Sequence, residues 1–334
     1  MRRFRSIVLP LVLLVPGAAL AQKVTHIDTV GGSPVALDGS ADPTEDVRFK
    51  NDLNDRMTVA VTLAGRGPFR FLVDAGADRT AISSDVVRRI GLVMDGTANL
   101  HSITGAGIVQ TASVRDLRLS QRSAPAPGQR SVPTIAAPVL EAVNMGADGV
   151  LGTDTLHAQR IMFDFKASKL TITPSRRGQQ MDEAGTIVVE ASRREGRLIM
   201  TDAVADRQKL TVVIDTGSEI CVGNSALRAA LSRKGVLRNL GPVTLTSVTG
   251  EQIVGDHTIL RSLQLGDVTL KDLAIVFTDA HTFKQMRLED RPTLLMGMNA
   301  MRAFDKVSID FANKTMRVLM PDTGSIDSVR LASR

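Results

Sequence analysis

Apolar and polar residues alternate along short runs separated by turn-forming residues, the period of strands with one buried face. Arg56 to Leu63 alternates and is rich in Val and Thr. Ala64-Gly65-Arg66-Gly67-Pro68 then turns the chain back into Phe69 to Asp74, which predicts a hairpin. The figure returns at Leu198 to Val204, with a turn at Asp206 and a second strand from Lys209 to Asp215. Val109 to Leu119 and Ile253 to Leu265 also predict strands. Ile161 to Phe165 with Lys169 to Thr173, and Val307 to Phe311 with Thr315 to Met320, predict closing hairpins. Short helices fit Ser84 to Ile90, Ser225 to Arg233 and the turns after Gly152 and Gly297, with Ser83 or Ser84 and Asn224 as N-caps. The expected class is all-β with a few short helices.

The hairpins belong to an internal repeat. Phe71-Leu72-Val73-Asp74-Ala75-Gly76-Ala77 is matched by Val212-Val213-Ile214-Asp215-Thr216-Gly217-Ser218, 141 positions later. Ser102-Ile103-Thr104-Gly105 matches Ser247-Val248-Thr249-Gly250, and Val150-Leu151-Gly152 matches Leu295-Met296-Gly297, each at an offset of 145. Phe163-Asp164-Phe165 matches Ile309-Asp310-Phe311 at 146. Four landmarks in one order at nearly one spacing predict two equivalent lobes, residues 45–174 and 185–321. Residues 175–184 read as a polar linker, 22–44 as a leader poor in periodicity, and 322–334 as a tail. Ser123 to Gln129 is a Pro/Ala loop without a counterpart in the second lobe.

Composition adjusts this picture little. Hydrophobic residues at 43% and charged residues at 23% suit a folded globular chain. With ten Phe and no Trp or Tyr, the cores must be largely aliphatic. Residues 1–21 read as a signal peptide: Arg2, Arg3 and Arg5 precede an apolar stretch, and Ala19-Leu20-Ala21 offers a small-x-small cleavage site. An uncleaved anchor is the alternative, but Pro10 and Pro16 interrupt a run that is short for a span. The expected location is therefore outside the cytoplasm, in the periplasm, with no stable membrane insertion once the signal is removed. The formal net charge of +6 falls to +3 when those three Arg leave. The remaining cations are scattered without an aromatic-interleaved basic run, which argues against nucleic-acid binding. One cysteine, Cys221, allows no internal disulfide. It reads as a small buried apolar side chain. His26, His101, His157, His257 and His281 fall at no ligand spacing, so neither metal nor cofactor is expected.

The chemistry sits at the ends of the repeated apolar strands. Val212-Val213-Ile214 reads as a strand buried on both sides, from whose end Asp215 emerges where the chain turns. Gly217 permits a close approach that a Cβ would block, and Thr216 and Ser218 offer hydroxyls to fix the loop. Leu295-Met296-Gly297 is placed to brace it.

Both lobes resemble the retropepsin/pepsin superfamily of aspartic peptidases, and the resemblance covers most of residues 45–321. Asp-Thr-Gly-Ser at Asp215 is a full match, and Asp-Ala-Gly-Ala at Asp74 a partial one. Ala147 to Gly152 and Thr293 to Gly297 resemble the family's second signature. The resemblance implies one active site between two lobes in one chain, with Asp74 and Asp215 as the catalytic pair. It places flap tips at Thr104-Gly105-Ala106-Gly107 and Thr249-Gly250-Glu251, and implies substrate contacts at Gly76, Asp78, Gly217, Thr104, Gly105, Thr249 and Gly250, with Glu219 as the counterpart of Asp78. It implies loop bracing by Ala75, Ala77, Thr216, Ser218, Gly152 and Gly297. Position 75 is Thr or Ser in the family, where the hydroxyl reaches across the lobe interface. Ala75 removes that donor, worth about 0.5–1.5 kcal/mol for one hydrogen bond.

Two carboxyls held close cannot both ionise, so they share a proton. One can then deprotonate a water while the other protonates a scissile carbonyl oxygen. The expected activity is therefore peptide-bond hydrolysis on peptide or protein substrates, by a monomer. Two alternatives stand beside it. One is a catalytically impaired peptide-binding or assembly protein, which Ala75 motivates. The other is a homodimer that pairs equivalent lobes. Asp164 and Asp310, each before an aromatic in a closing strand, read as structural, and Met296, Met298 and Met301 as core.

Overall fold

In the computed structural model the described residues are 57–119, 134–156, 158–178, 186–194 and 197–321, with short strand segments at 7–8, 12–14, 26–29, 45–48 and 50–51. The cleavage site at Ala19-Leu20-Ala21, most of the 22–44 leader, the Ser123 to Gln129 loop, residues 179–184 of the linker, His157 and the 322–334 tail lie outside them. Among the described residues no helix is long and apolar enough to cross a membrane.

Two sheets carry the same strands in the same spatial order. The first runs Met94–His101, Ala106–Val114, Ile135–Leu140, Ala81–Ser83, Gly149–Leu151, Arg66–Val73, Met57–Leu63. The second runs Arg238–Ser247, Gln252–Leu265, Val268–Phe277, Cys221–Gly223, Thr293–Met296, Gln208–Ile214, Arg197–Ala205. Each expected N-terminal hairpin forms. Its two-residue turn has both residues at positive φ, Ala64 and Gly65 in one lobe and Asp206 and Arg207 in the other. That turn matches the right-handed twist of the flanking strands. Helices Ser84–Ile90 and Ser225–Ser232 follow, capped by the side chains of Ser83 and Asn224. The stretch from Val109 to Leu119 is not one strand. It breaks after Val114, with Asp116 at positive φ, and only Arg118–Leu119 resumes.

The two closing hairpins join each other. Gln159–Asp164 pairs with Lys169–Pro174, and Lys306–Asp310 pairs with Thr315–Leu319. The two inner strands then pair antiparallel across the lobes, with Arg160 opposite Asp310, Met162 opposite Ser308 and Asp164 opposite Lys306. Shifting any of these residues by the repeat offset of 146 reproduces the same register, centred on Met162 and Ser308. The axis relating the lobes therefore passes through this pair. Asp164 and Asp310 hold the hairpin turns, as structural residues would. Asp164 Oδ1 accepts from Ala167 N–H at 2.8 Å, and Asp310 Oδ1 accepts from Ala312 and Asn313 N–H at 3.1 and 3.0 Å.

The largest cluster of buried side chains runs through both lobes and this shared sheet, from Met57 and Phe71 through Phe163 and Val307 to Leu210 and Ile275. Aliphatic residues dominate it, as the aromatic-poor composition requires.

Candidate functional site

Asp74 and Asp215 stand just beyond the C-terminal ends of Arg66–Val73 and Gln208–Ile214. Each backbone N–H is taken by the adjacent parallel strand, Asp74 by Leu151 O at 3.0 Å and Asp215 by Met296 O at 3.1 Å. The far side of each loop is tied down as well: Thr153 N–H donates to Ala77 O and Met298 N–H to Ser218 O, both at 2.8 Å. These crossings need glycine. A Cβ on Gly152 would lie 2.4 Å from the Arg79 carbonyl carbon, and one on Gly297 2.6 Å from that of Ile220. Ser218 Oγ donates to Ile220 O at 2.7 Å, while Ala77 fills the equivalent place as a buried methyl.

The two aspartate loops meet face to face between the lobes. A Cβ on Gly217 would fall 2.3 Å from Asp74 Oδ2, so the Gly217 backbone packs directly on the Asp74 carboxyl. Asp74 Oδ1 accepts from Gly76 and Ala77 N–H at 2.7 and 3.1 Å, and Asp215 Oδ1 accepts from Gly217 N–H at 3.1 Å. Both side chains are fully buried. Burial pushes the Asp215 carboxyl well above the ordinary range, the Asp74 carboxyl pushes it further, and Arg197 with the Gly217 and Ser218 amides opposes them. One carboxyl of such a pair holds a proton where an exposed aspartate would have lost it.

Half of the inter-lobe brace is present. Thr216 Oγ1 accepts from Ala75 N–H at 2.7 Å and donates to Val73 O at 2.8 Å. Ala75, buried at the equivalent position, has no hydroxyl to return the contact.

The segments around Thr104-Gly105 and Thr249-Gly250 each pack against the opposite lobe. Ile103, fully buried, packs in a cluster of second-lobe side chains with Val213, Ile220 and Phe283. Val248, also fully buried, packs in a first-lobe cluster with Leu72, Leu140 and Met145. The His101 ring stacks on His281 with centroids 5.1 Å apart, and His101 Nδ1 lies 2.8 Å from His281 Nε2. His281 N–H donates to Ile103 O at 2.7 Å. Thr104 Oγ1 donates to Glu251, tip to tip. Gly250 lies against Asn144, where a Cβ would meet the side-chain nitrogen at 2.9 Å. Burial lowers the pKa of both histidines. Each ring is lowered further by nearby charge, His101 by His281 and Arg197 and His281 by Lys284.

The structure thus brings together Asp74, Asp215, Ala75, Gly76, Ala77, Thr216, Gly217, Ser218, Gly152 and Gly297, with Thr104, Gly105, Thr249 and Gly250 at the clasped tips. Asp78 and Glu219 lie half-buried on the two loops. Sequence reasoning missed Arg197, His101, His281 and Asn144. Arg197 stands one residue before the readable strand pattern. His101 directly precedes the repeated Ser-Ile-Thr-Gly, which was the available signal. Cys221 is buried, its thiol pushed up to about 12 by burial, and its Sγ accepts from Gly297 N–H at 3.3 Å.

Residues 59–158 match the family described as gag-polyprotein putative aspartyl protease, and residues 202–300 match the family described as aspartyl protease. The matches run in tandem, and each contains one of the two aspartates. No curated protein matches the chain.

Proposed function

Because the chain belongs to the retropepsin-like aspartyl proteases, with one family domain in each lobe, we propose that it is an aspartic endopeptidase. Its water is activated between Asp74 and Asp215. The observation that carries this is the burial of both carboxyls at facing loops, with the Asp215 pKa raised by burial and by Asp74. In the half-protonated pair, the ionised carboxylate takes a proton from water. The water oxygen bonds to the scissile carbonyl carbon as the protonated carboxyl gives its proton to the carbonyl oxygen. The resulting gem-diol then returns a hydroxyl proton to the newly formed carboxylate while the other carboxyl protonates the nitrogen, and the C–N bond breaks to leave acid and amine. The Gly217 and Gly76 amides fix the carboxyls, and the burial of both side chains strengthens each interaction inside.

A peptide substrate fits the flap strands. Backbone 7–8 of the chain itself pairs parallel with Leu100–His101, and 12–14 pairs antiparallel with Leu245–Ser247. One strand crossing a two-fold axis must meet one flap in parallel and the other antiparallel, so an extended peptide suits the same edges. The proposal extends to a monomer acting in the periplasm after removal of residues 1–21.

The test is turnover of a fluorogenic peptide library from pH 3 to 7 by the wild type and by Asp74→Asn and Asp215→Asn. Loss of cleavage in both variants is expected. Hydrolysis retained in either one overturns the shared-pair mechanism. Peptide binding without turnover in the wild type would instead favour the impaired binding protein that Ala75 motivates.

A further inference from the structure

Two short segments at the amino end of the chain lie on the edges where a peptide substrate would pair. Ile7–Val8 runs parallel to Leu100 and His101 of the first lobe, and Val12–Leu14 runs antiparallel to Leu245, Thr246 and Ser247 of the second. Their partners are the flap strands Met94–His101 and Arg238–Ser247, so each segment takes the free edge of its sheet. Only four positions separate Val8 from Val12, a span of at most about 14 Å, so the two edges border one narrow groove. The two registers also share a centre. Leu100 and Leu245, and likewise His101 and Thr246, are equivalents in the repeat at its offset of 145. Ile7 and Leu14 pair with the first two, and Val8 and Leu13 with the second two. Both pairs have the same midpoint along the chain, so the pairing is centred on the axis that relates the two lobes and their aspartates. A strand that merely covered an open edge would have no reason to be centred there. Farther along, His26–Thr29 pairs with Val268–Lys271 of the second lobe, which ties these segments to the body of the molecule.

We propose that segments 7–8 and 12–14 occupy the peptide groove of their own molecule, so that the full-length chain is latent until a hydrolysis beyond Leu14 cuts the tether. This rests on the reading of Asp74 and Asp215 as the catalytic pair of a peptidase. An extended peptide is held through main-chain pairing at such edges, and each edge accepts one strand at a time. A short tether presents the segments to the groove at an effective concentration of about millimolar. The sequence supplies the cut at Ala19-Leu20-Ala21. Water adds across the Ala21–Gln22 bond, leaving a carboxyl on the released segment and an amine on Gln22. The upstream reaction is therefore peptide-bond hydrolysis by an endopeptidase that accepts small residues. His26–Thr29 stays on the second lobe, whereas the released segment falls to its bulk concentration and leaves the groove. Removal of residues 1–21 is then the activating step as well as the maturing one.

The test uses the full chain carrying Val8→Pro and Leu13→Pro together. Proline gives no N–H to a ladder and is poorly tolerated in a paired strand. Both positions precede the two lobes, and unchanged amide protection at Met162 and Ser308 checks that the shared sheet is intact. Protection of amides 100–101 and 245–247 against hydrogen exchange should fall by about tenfold or more, and turnover of a fluorogenic peptide, low in the full-length wild type, should rise by a similar factor. The chain beginning at Gln22 should show both changes. Val8→Ile with Leu13→Val, which keeps good strand formers, should behave as the wild type. Unchanged protection in the proline variant overturns the proposal. Turnover by the full-length wild type that already equals that of the proline variant also overturns it. Should no form cleave, a fluorescent peptide of residues 6–15 decides. Binding to the proline variant but not to the wild type leaves the self-occupied groove standing while the peptidase reading falls. Equal binding to both overturns the proposal.

Discussion

Replacing Thr216 by Val removes one hydroxyl and nearly no volume. In the native structure that oxygen accepts from Ala75 N–H at 2.7 Å and donates to Val73 O at 2.8 Å, both in fully buried surroundings. The substitution therefore strands an amide and weakens the satisfaction of a carbonyl, and no water replaces them. A buried polar group left unpaired costs about 1–3 kcal/mol, so the two together cost about 2–6 kcal/mol. In a braced homodimer half of the contact would survive the change in one loop. Here Ala75 has already removed the reciprocal half. Urea unfolding of wild type and variant measures the loss, with the m-value checking that the transition stays comparable. Cleavage should fall further than stability alone implies, by on the order of a hundredfold, because the facing carboxyls lose their register. Thr216→Ser, which keeps the hydroxyl, should recover most of both. A loss below about 0.5 kcal/mol for Thr216→Val, smaller than one ordinary hydrogen bond, would refute the claim that this brace sets the loop geometry.

Other consequences can be measured in the same way. Ala75→Thr should restore the reciprocal contact and stabilise the chain by about 1 kcal/mol, read as a higher urea midpoint. Gly217→Ala places a Cβ 2.3 Å from Asp74 Oδ2, so turnover should vanish while far-UV circular dichroism and the unfolding transition persist. Burial lowers the pKa of both stacked histidines in the clasped state. Released rings titrate near 6.5, so the open state binds more protons and is favoured as pH falls through that value. The protection of amides 101–106 against hydrogen exchange, measured relative to their intrinsic rates, should therefore fall below about pH 6.5 in the wild type, with Arg197 and Lys284 adding to the repulsion, and His281→Phe should flatten that dependence. Ile103→Ser and Val248→Ser each remove a buried aliphatic contact worth about 1.5–3 kcal/mol, so tip exchange should quicken at every pH. Unchanged exchange would exclude the partner-swapped packing.

Much of the architecture was legible because the repeat declares itself where burial is strongest. Val212-Val213-Ile214 and Leu295-Met296-Gly297 are apolar on both faces, and their lobe-one copies lie at a nearly constant offset. Strands Met94–His101 and Arg238–Ser247 were not legible. They project into the flaps, where only a few side chains such as Ala98, Leu100 and Leu245 are buried, so no alternating pattern runs along their length. The joining of the closing hairpins was hidden for another reason. Each hairpin is readable alone, but the register of Arg160 against Asp310 is a relation between lobes. Arg197 escaped because a fully buried arginine is rare, and nothing local distinguishes it from a surface cation. His101 and His281 are 180 positions apart, and only the fold brings them into contact.

The imperfect symmetry of the two aspartate loops bears on direction. A site made from two identical halves has no front or back, so a peptide can lie in it equally well with its amino end towards either half. In this chain one loop presents Thr216 and the other Ala75, and the Arg197 side chain of the second lobe reaches Gly76 of the first. The two carboxyls therefore sit in unlike fields, and the one that gives up its proton more readily is set by the protein before any substrate arrives. Under the proposed mechanism, a peptide laid one way would meet the base and the acid in order, and laid the other way out of order. Tethering two copies and letting one drift would turn an ambidextrous groove into one that reads its substrate from a single end.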